Sequence, residues 1–217
     1  MAINTYATLV TAITEWLARE EDATLVARIP DFITLAEAKF NRVLMHPKME
    51  TRSTASIDTG NTEPEFVSLP GDFQTMRRVR LSSVTGKPSL EYLSQTQMAD
   101  YRYSIDNVTE QPIYYSIMGD ELELAPTPND DYTLEMVYRA NIPALTSGNT
   151  TNWLLTLAPD LYLYGALLES APYIKEDERL ATWASAVSTV IDQLNTLGER
   201  QSTNAGPSTI TLPGVVP

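Results

Sequence analysis

Two stretches near the N-terminus repeat apolar residues at helical spacing. The intervals are 3, 4 and 3 residues at Tyr6, Leu9, Ile13 and Trp16, and the same intervals recur at Ile33, Ala36, Phe40 and Val43. The first set predicts an amphipathic helix over residues 5–17, followed by a solvated acidic connection. The second predicts a helix that begins near Pro30 and ends before Pro47, because the residue ahead of a proline disfavours helix.

Between residues 49 and 141 the apolar period falls to 2, which indicates β-strands. Gly119 and Asp120 separate two alternating runs and form a two-residue hairpin signal. Because no long helical pattern interrupts this region, we expect an antiparallel β domain over residues 48–150, inserted into a helical protein. The clearest alternation is at Tyr132, Leu134, Met136 and Tyr138, with further strands expected at 51–58, 65–69, 75–81, 89–93, 113–117 and 121–124 and helical turns at 95–103.

Residues 159–171 form the stretch around which the chain is organised. Apart from a glycine, residues 161–168 are apolar or aromatic on every side, and a helix of this kind is surrounded by protein. Gly165 and Ala166 leave room for another backbone to come close. We expect Pro172 to break the helix.

A last helix is predicted over residues 174–197, with Gly198 at the C′ position beyond its end. Its seam faces one partner helix or a bundle core, and consists of Leu180, Trp183, Val187, Val190, Leu194 and Leu197. The predicted fold class is α+β, with a discontinuous helical bundle over residues 1–47 and 151–200 and an extended tail. The residues expected in the bundle core or at ring contacts are Trp153, Leu161, Tyr164, Leu168, Trp183 and Val187.

The tail, residues 201–217, contains no charged residue. Its second half is apolar and prone to β structure, and its prolines and glycine exclude a helix. It can add a strand to the sheet edge of a partner, or remain an unstructured end. The residues expected to bind are Thr209, Ile210, Thr211, Leu212, Val215 and Val216.

The amino-acid composition excludes or disfavours several classes of function. The chain has 217 residues, no cysteine and a net charge of −13. The absence of cysteine excludes disulfides and zinc–thiolate sites and suggests folding in a reducing cytoplasm. The acidity argues against a general nucleic-acid binder, since no segment is basic. It serves solubility, or it repels DNA that passes nearby.

No residue pattern predicts a catalytic, cofactor or metal site. His46 is the single histidine and lacks a nucleophile or acid motif around it, so we expect a structural or surface role. No glycine-rich phosphate loop or serine nucleophile elbow is present. Paired carboxylates such as Glu121 and Glu123, or Asp130 and Asp131, are expected on solvated faces.

Arg77, Arg78 and Arg80 form the only basic cluster. Strand alternation places Arg78 and Arg80 on one face and Arg77 on the other. A salt-bridged sheet explains them, or else a contact to an acidic neighbouring subunit, which makes Arg78 and Arg80 candidate inter-subunit residues.

Several soft motifs, in order along the chain, resemble the head-to-tail adaptor proteins of short-tailed, podovirus-like bacteriophages. They lie at residues 32–42, 69–73 (Leu-Pro-Gly-Asp-Phe), 112–115 (Pro-Ile-Tyr-Tyr), 122–128, 138–139, 144–145, 152–155 (Asn-Trp-Leu-Leu) and 159–165. Each is weak alone, and their order and spacing together carry the resemblance.

The resemblance implies a virion protein of the tail or neck, assembled in the host cytoplasm as a ring of usually twelve copies. It implies docking under the portal protein, a lower face that receives the tail nozzle or tube, and a C-terminal segment, residues 209–216, that reaches into the portal. DNA passes through such a ring without specific binding, and no membrane or cofactor is involved. The alternatives are a peptidoglycan-degrading virion hydrolase, with Glu121 or Glu123 as candidates, and another head-completion or tail-tube protein.

Overall fold

A computed structural model describes residues 2–106, 108–174 and 179–202. The chain is a mixed α+β protein whose sheets are mainly antiparallel. It divides into two compact units, one containing residues 1–47 and 143–217 and the other residues 48–142. In chain order the helices are α1 (Tyr6–Leu17), α2 (Ala23–Val26), α3 (Ile29–Val43), α4 (Gln95–Ser104), α5 (Trp153–Leu157), α6 (Pro159–Ile174) and α7 (Leu180–Ser202).

The strands all lie in the second unit. In chain order they are β1 (Glu50–Ile57), β2 (Phe66–Ser68), β3 (Phe73–Leu81), β4 (Glu91–Tyr92), β5 (Thr109–Glu110), β6 (Tyr114–Met118), β7 (Glu121–Ala125), β8 (Thr127–Pro128) and β9 (Tyr132–Ala140).

α1 and α3 confirm the two N-terminal helices predicted from apolar spacing. The Thr5 hydroxyl caps α1 by accepting a hydrogen bond from the Thr8 N–H. Asp22 caps the short α2, which follows the acidic residues 20–22 predicted as a solvated connection and was not itself predicted. The Asp22 carboxylate accepts hydrogen bonds from the N–H groups of Thr24 and Leu25, and a helix of four residues is too short for apolar spacing to predict.

α6 packs against α1, α3, α5 and α7 and is buried along most of its length, which confirms a helix surrounded by protein. Gly165 admits an aromatic ring rather than a second backbone. A Cβ atom there would lie 2.5 Å from Cζ of Phe40. The prediction that Pro172 breaks this helix was wrong, since α6 continues to Ile174. Near a helix end, the hydrogen bond that a proline removes belongs only to the last turn.

α7 begins and ends later than predicted. It starts at Leu180, six residues after the predicted start at 174, where α6 ends, and it runs to Ser202. Trp183 and Leu194 of the predicted seam are buried, whereas Leu180 and Leu197 are exposed. The predicted seam is therefore buried between Trp183 and Leu194 in part, and its first and last residues are exposed to solvent.

Gly198 is inside α7, so its predicted C′ position was wrong. A Cβ atom at this residue would lie 2.7 Å from the carbonyl oxygen of Met45 and 3.0 Å from Cδ of Pro47. The glycine is thus explained by the chain that follows α3, which passes too close to α7 for any side chain.

The second unit contains two sheets that share one hydrophobic core. One sheet has the order β1-β9-β3 and is antiparallel, and the other has the order β2-β7-β6-β4, in which only the β4–β6 pair is parallel. β5 and β8 form a further two-residue parallel pair. The core residues include Leu134, Met136 and Tyr138, which confirms the alternation predicted for β9.

The predicted hairpin is confirmed by β6 and β7. Met118 pairs with Glu121, which leaves Gly119 and Asp120 as the two-residue loop, and Gly119 has a left-handed φ of 61°. The strand predicted at 89–93 is reduced to the two residues of β4. α4 confirms the predicted helical turns, with Ser94 as its cap.

Candidate assembly surfaces

The outer face of the β1-β9-β3 sheet is built around one buried carboxylate. Glu135 lies on β9 opposite Arg80 of β3 and is only 3% exposed. Its Oε1 lies 2.7 Å from Nε of Arg80 and 3.7 Å from Nη2 of Arg78, and its Oε2 lies 3.2 Å from Nη1 of Arg52. Contact with Arg80 holds the pKa of Glu135 below its usual value, with Arg52 and Arg78 acting in the same direction against its burial.

The same face carries a second group of charges. Arg77 reaches Glu50 of β1, with Nε 3.3 Å from Oε1, and Glu50 pairs across the sheet with Arg139 of β9. Residues directly opposite in a sheet share a face, so Arg77 lies on the Glu135 side. Its predicted opposite orientation was therefore wrong. The reason is an irregularity in register between Met76 and Arg78, which shifts the alternation by one residue.

An apolar cavity of about 140 Å³ lies in the first unit between α3, α6 and α7. Its walls include Leu168 and Val187, two of the predicted core residues, and Gly165 contributes to its surface. An ion pair between Lys39 and Glu169 flanks it. The cavity is large enough for about one bulky apolar side chain, and both predicted residues are only half-buried.

The other four predicted core residues have different degrees of burial. Leu161 is fully buried and Trp183 nearly so. Trp153 is half-buried and stacks on His46 with ring centroids 5.4 Å apart. Tyr164 is half-buried and meets Trp16 edge-on at 5.8 Å. The structural role expected for His46 is thus packing against an aromatic ring.

A buried polar network was not predicted from sequence. The Tyr162 hydroxyl donates to Oε1 of Glu37 at 2.9 Å, as does the Leu145 N–H at 2.9 Å, and Asn152 donates to the Tyr162 oxygen at 2.6 Å. Burial raises the pKa of both Glu37 and Tyr162. The sequence does contain one indication of this network, because Glu37 lies between Ala36 and Phe40 on the apolar stripe of α3.

The candidate carboxylates Glu121 and Glu123 have different surroundings. Glu121 is exposed, whereas Glu123 pairs with Arg102 at 2.6 Å and is largely covered, which corrects its predicted solvated position. Asp131 accepts hydrogen bonds from the backbone and hydroxyl of Thr59. Within the described residues, no group of acidic or histidine side chains is arranged to hold a metal ion.

The tail residues predicted to bind a partner, Thr209 to Leu212 with Val215 and Val216, lie outside the described residues. Among the helices of the described ranges, none is long and apolar enough to cross a membrane. In a comparison with protein families, the chain matches the family described as SU10 adaptor protein over residues 4–211. No curated protein matches the chain.

Proposed function

Because this chain belongs to the SU10 adaptor protein family, we propose that it is a non-enzymatic structural protein of a bacteriophage particle that joins the portal to the tail nozzle or tube. The observation that carries this proposal is the extent of the family match, which covers residues in both compact units. The mechanism is geometric. One surface fits the portal, another receives the tail, and a ring of copies continues the DNA channel between them.

In this proposal the helices of the first unit, which pack around α6, line the ring. A ring needs a heterologous interface, in which one surface of each copy meets a different surface of the next. Twelve copies would carry a nominal charge of 12 × −13 = −156. Carboxylates that face the channel repel phosphate, so DNA can move through during ejection without being held.

The C-terminal segment, residues 209–216, attaches each copy to the portal and is the portal latch. It carries no charge, and its alternating threonine and aliphatic residues suit addition to an exposed sheet edge. A segment that becomes ordered only when it docks loses conformational entropy in that step. Thr209, Ile210, Thr211, Leu212, Val215 and Val216 are the residues that make this contact.

The test is negative-stain imaging of the purified protein mixed with portal rings. We expect a ring of added density on one end of the portal with the full chain, and none with a chain ending at Ser202, the last residue of α7. The double variant Ile210→Asp/Leu212→Asp should also fail to dock, because it places two carboxylates in an apolar contact.

The matched control is Thr203→Asp/Asn204→Asp, which adds the same two carboxylates to the tail outside the residues assigned to the contact. It should dock as the unaltered protein does. If the chain ending at Ser202 decorates portal rings as fully as the whole protein, the latch assignment is wrong. If the full chain leaves portal rings undecorated, the adaptor function itself is wrong.

A further inference from the structure

The β1-β9-β3 sheet carries more arginines than acidic residues. The three strands contain seven charged residues, and the two acids among them are Glu50 and Glu135. The basic ones are Arg52, Arg77, Arg78, Arg80 and Arg139. The balance is 5 − 2 = +3 on a chain whose total is −13, so all other residues together carry −13 − 3 = −16.

Three of these guanidinium groups are directed largely to solvent. The side chains of Arg52, Arg77 and Arg78 are 65%, 55% and 51% exposed, whereas Arg80 is 25% exposed. Arg80 also makes the closest contact with Glu135. A guanidinium has five N–H donors in a planar fork, so one shared carboxylate leaves most donors of Arg52 and Arg78 available.

We infer that this arginine face, defined by Arg52, Arg77 and Arg78 around Glu135, is a docking surface for an acidic surface of a second copy of the chain. Exposed arginine forks match carboxylates in geometry as well as in charge. The remaining −16 of the chain means that a neighbouring copy presents an excess of carboxylates.

The same charge balance favours protein over nucleic acid as the partner. A DNA duplex that approached this face would meet the field of the sixteen net negative charges carried by the rest of the chain. An acidic protein surface can instead place a few carboxylates against the arginines at short range. Since the arginine face is basic, its partner surface must be a different one, and the contact is heterologous.

This inference deepens the proposed ring assembly and supplies one side of its subunit contact. The test is sedimentation velocity on the full chain over a range of concentrations, at about 50 mM and about 500 mM salt. We expect self-association that weakens at high salt. In Arg52→Gln/Arg78→Gln the dissociation constant should rise about tenfold, as expected for the loss of two partly exposed ion pairs.

This variant keeps Arg80 beside Glu135, so the buried carboxylate retains its closest partner. The matched control is Arg28→Gln/Arg200→Gln, which also removes two positive charges from exposed positions, Arg28 at the N-cap of α3 and Arg200 in α7. It should associate as the unaltered protein does. Far-UV circular dichroism checks that all variants are folded.

A charge-reversed chain, Arg52→Glu/Arg78→Glu, separates a heterologous contact from a symmetric one. Alone it should remain monomeric, but it keeps the acidic acceptor surface. Mixed with the unaltered chain, it should therefore cap growing oligomers and reduce their mean size. The inference is overturned if Arg52→Gln/Arg78→Gln and its control associate equally, or if the unaltered chain stays monomeric at both salt concentrations.

Binding of a short DNA duplex is measured in parallel by fluorescence anisotropy. If the chain binds the duplex and Arg52→Gln/Arg78→Gln loses that binding, the second copy is the wrong partner. Decoration of portal rings distinguishes this inference from the proposed function. Portal rings decorated equally by Arg52→Gln/Arg78→Gln would refute the arginine contact and leave the adaptor function in place.

Discussion

Gly198 lies inside α7 at a point where the chain after α3 leaves no space for a side chain. A Cβ atom added there would lie 2.7 Å from the Met45 carbonyl oxygen, 3.0 Å from Cδ of Pro47 and 3.2 Å from Cα of His46. Gly198→Ala therefore sets two effects against each other. The helix gains from the replacement of glycine, and the packing between α7 and the passing chain loses.

The magnitudes decide the sign. Glycine to alanine inside a helix stabilises by about 1 kcal/mol. Forcing an extra methyl group into a filled space costs about 1–3 kcal/mol. Here two of the three nearest atoms belong to backbone, which cannot rotate away as a side-chain end can. We therefore take the upper part of that range and expect a net loss of about 1–2 kcal/mol, or about 2–8 °C in Tm.

Tryptophan fluorescence in a urea titration measures the free energy of unfolding of the first unit, which contains Gly198. The chain has three tryptophans, and Trp16, Trp153 and Trp183 all belong to the first unit. Gly148→Ala is the control, because the nearest atom to a Cβ there is the Thr146 hydroxyl at an ordinary 3.8 Å. A Gly198→Ala protein at least as stable as the unaltered one would refute the close-contact explanation of this glycine.

Two buried carboxylates should give opposite responses to pH. Burial raises the pKa of Glu37 above 4.5, so the folded state holds this proton more tightly than the unfolded chain does, and stability falls as pH rises from 4.5. Glu37→Gln should flatten that slope in urea titrations followed by tryptophan fluorescence, and an unchanged slope would assign it elsewhere. The pKa of Glu135 is lowered by Arg80, so its contribution is present above pH 4.5 and is lost as pH falls through the lower folded value. Hydrogen exchange in β9, corrected for intrinsic rates, should accelerate in acid and do so at a higher pH in Arg80→Gln; pH-independent exchange would contradict this.

The spacing of apolar residues was sufficient to predict an element where one of its faces is buried against its own unit. α1, α3 and β9 each bury a single stripe or face, so spacing alone predicts the type of element and most of its inward residues. The exceptions are Trp16 of α1 and Val43 of α3, which lie at the ends of their predicted stripes and are exposed. The β6–β7 hairpin was also predictable, because Gly119 supplies the left-handed conformation that a two-residue loop requires.

The errors occurred where a distant segment determines the conformation or role of a residue. Gly198 has the sequence context of a helix end, and only the position of Met45 reveals why it is glycine. Arg77 follows strand alternation in sequence, but a change of register with β9 turns it to the Glu135 face. Glu37 was overlooked because its partners, Leu145 and Tyr162, are more than a hundred residues away.

The candidate surfaces share this dependence on distant segments. The arginine face combines residues from β1, β3 and β9, and the apolar cavity combines residues from α3, α6 and α7. A protein that works by fitting against other proteins needs surfaces of this kind, and no short motif encodes them. A catalytic site would differ in that its chemistry restricts the types of residue that can supply it, even where those residues are distant in sequence. Accordingly, the family is identified by a match that extends over residues 4–211 and not by any single short motif.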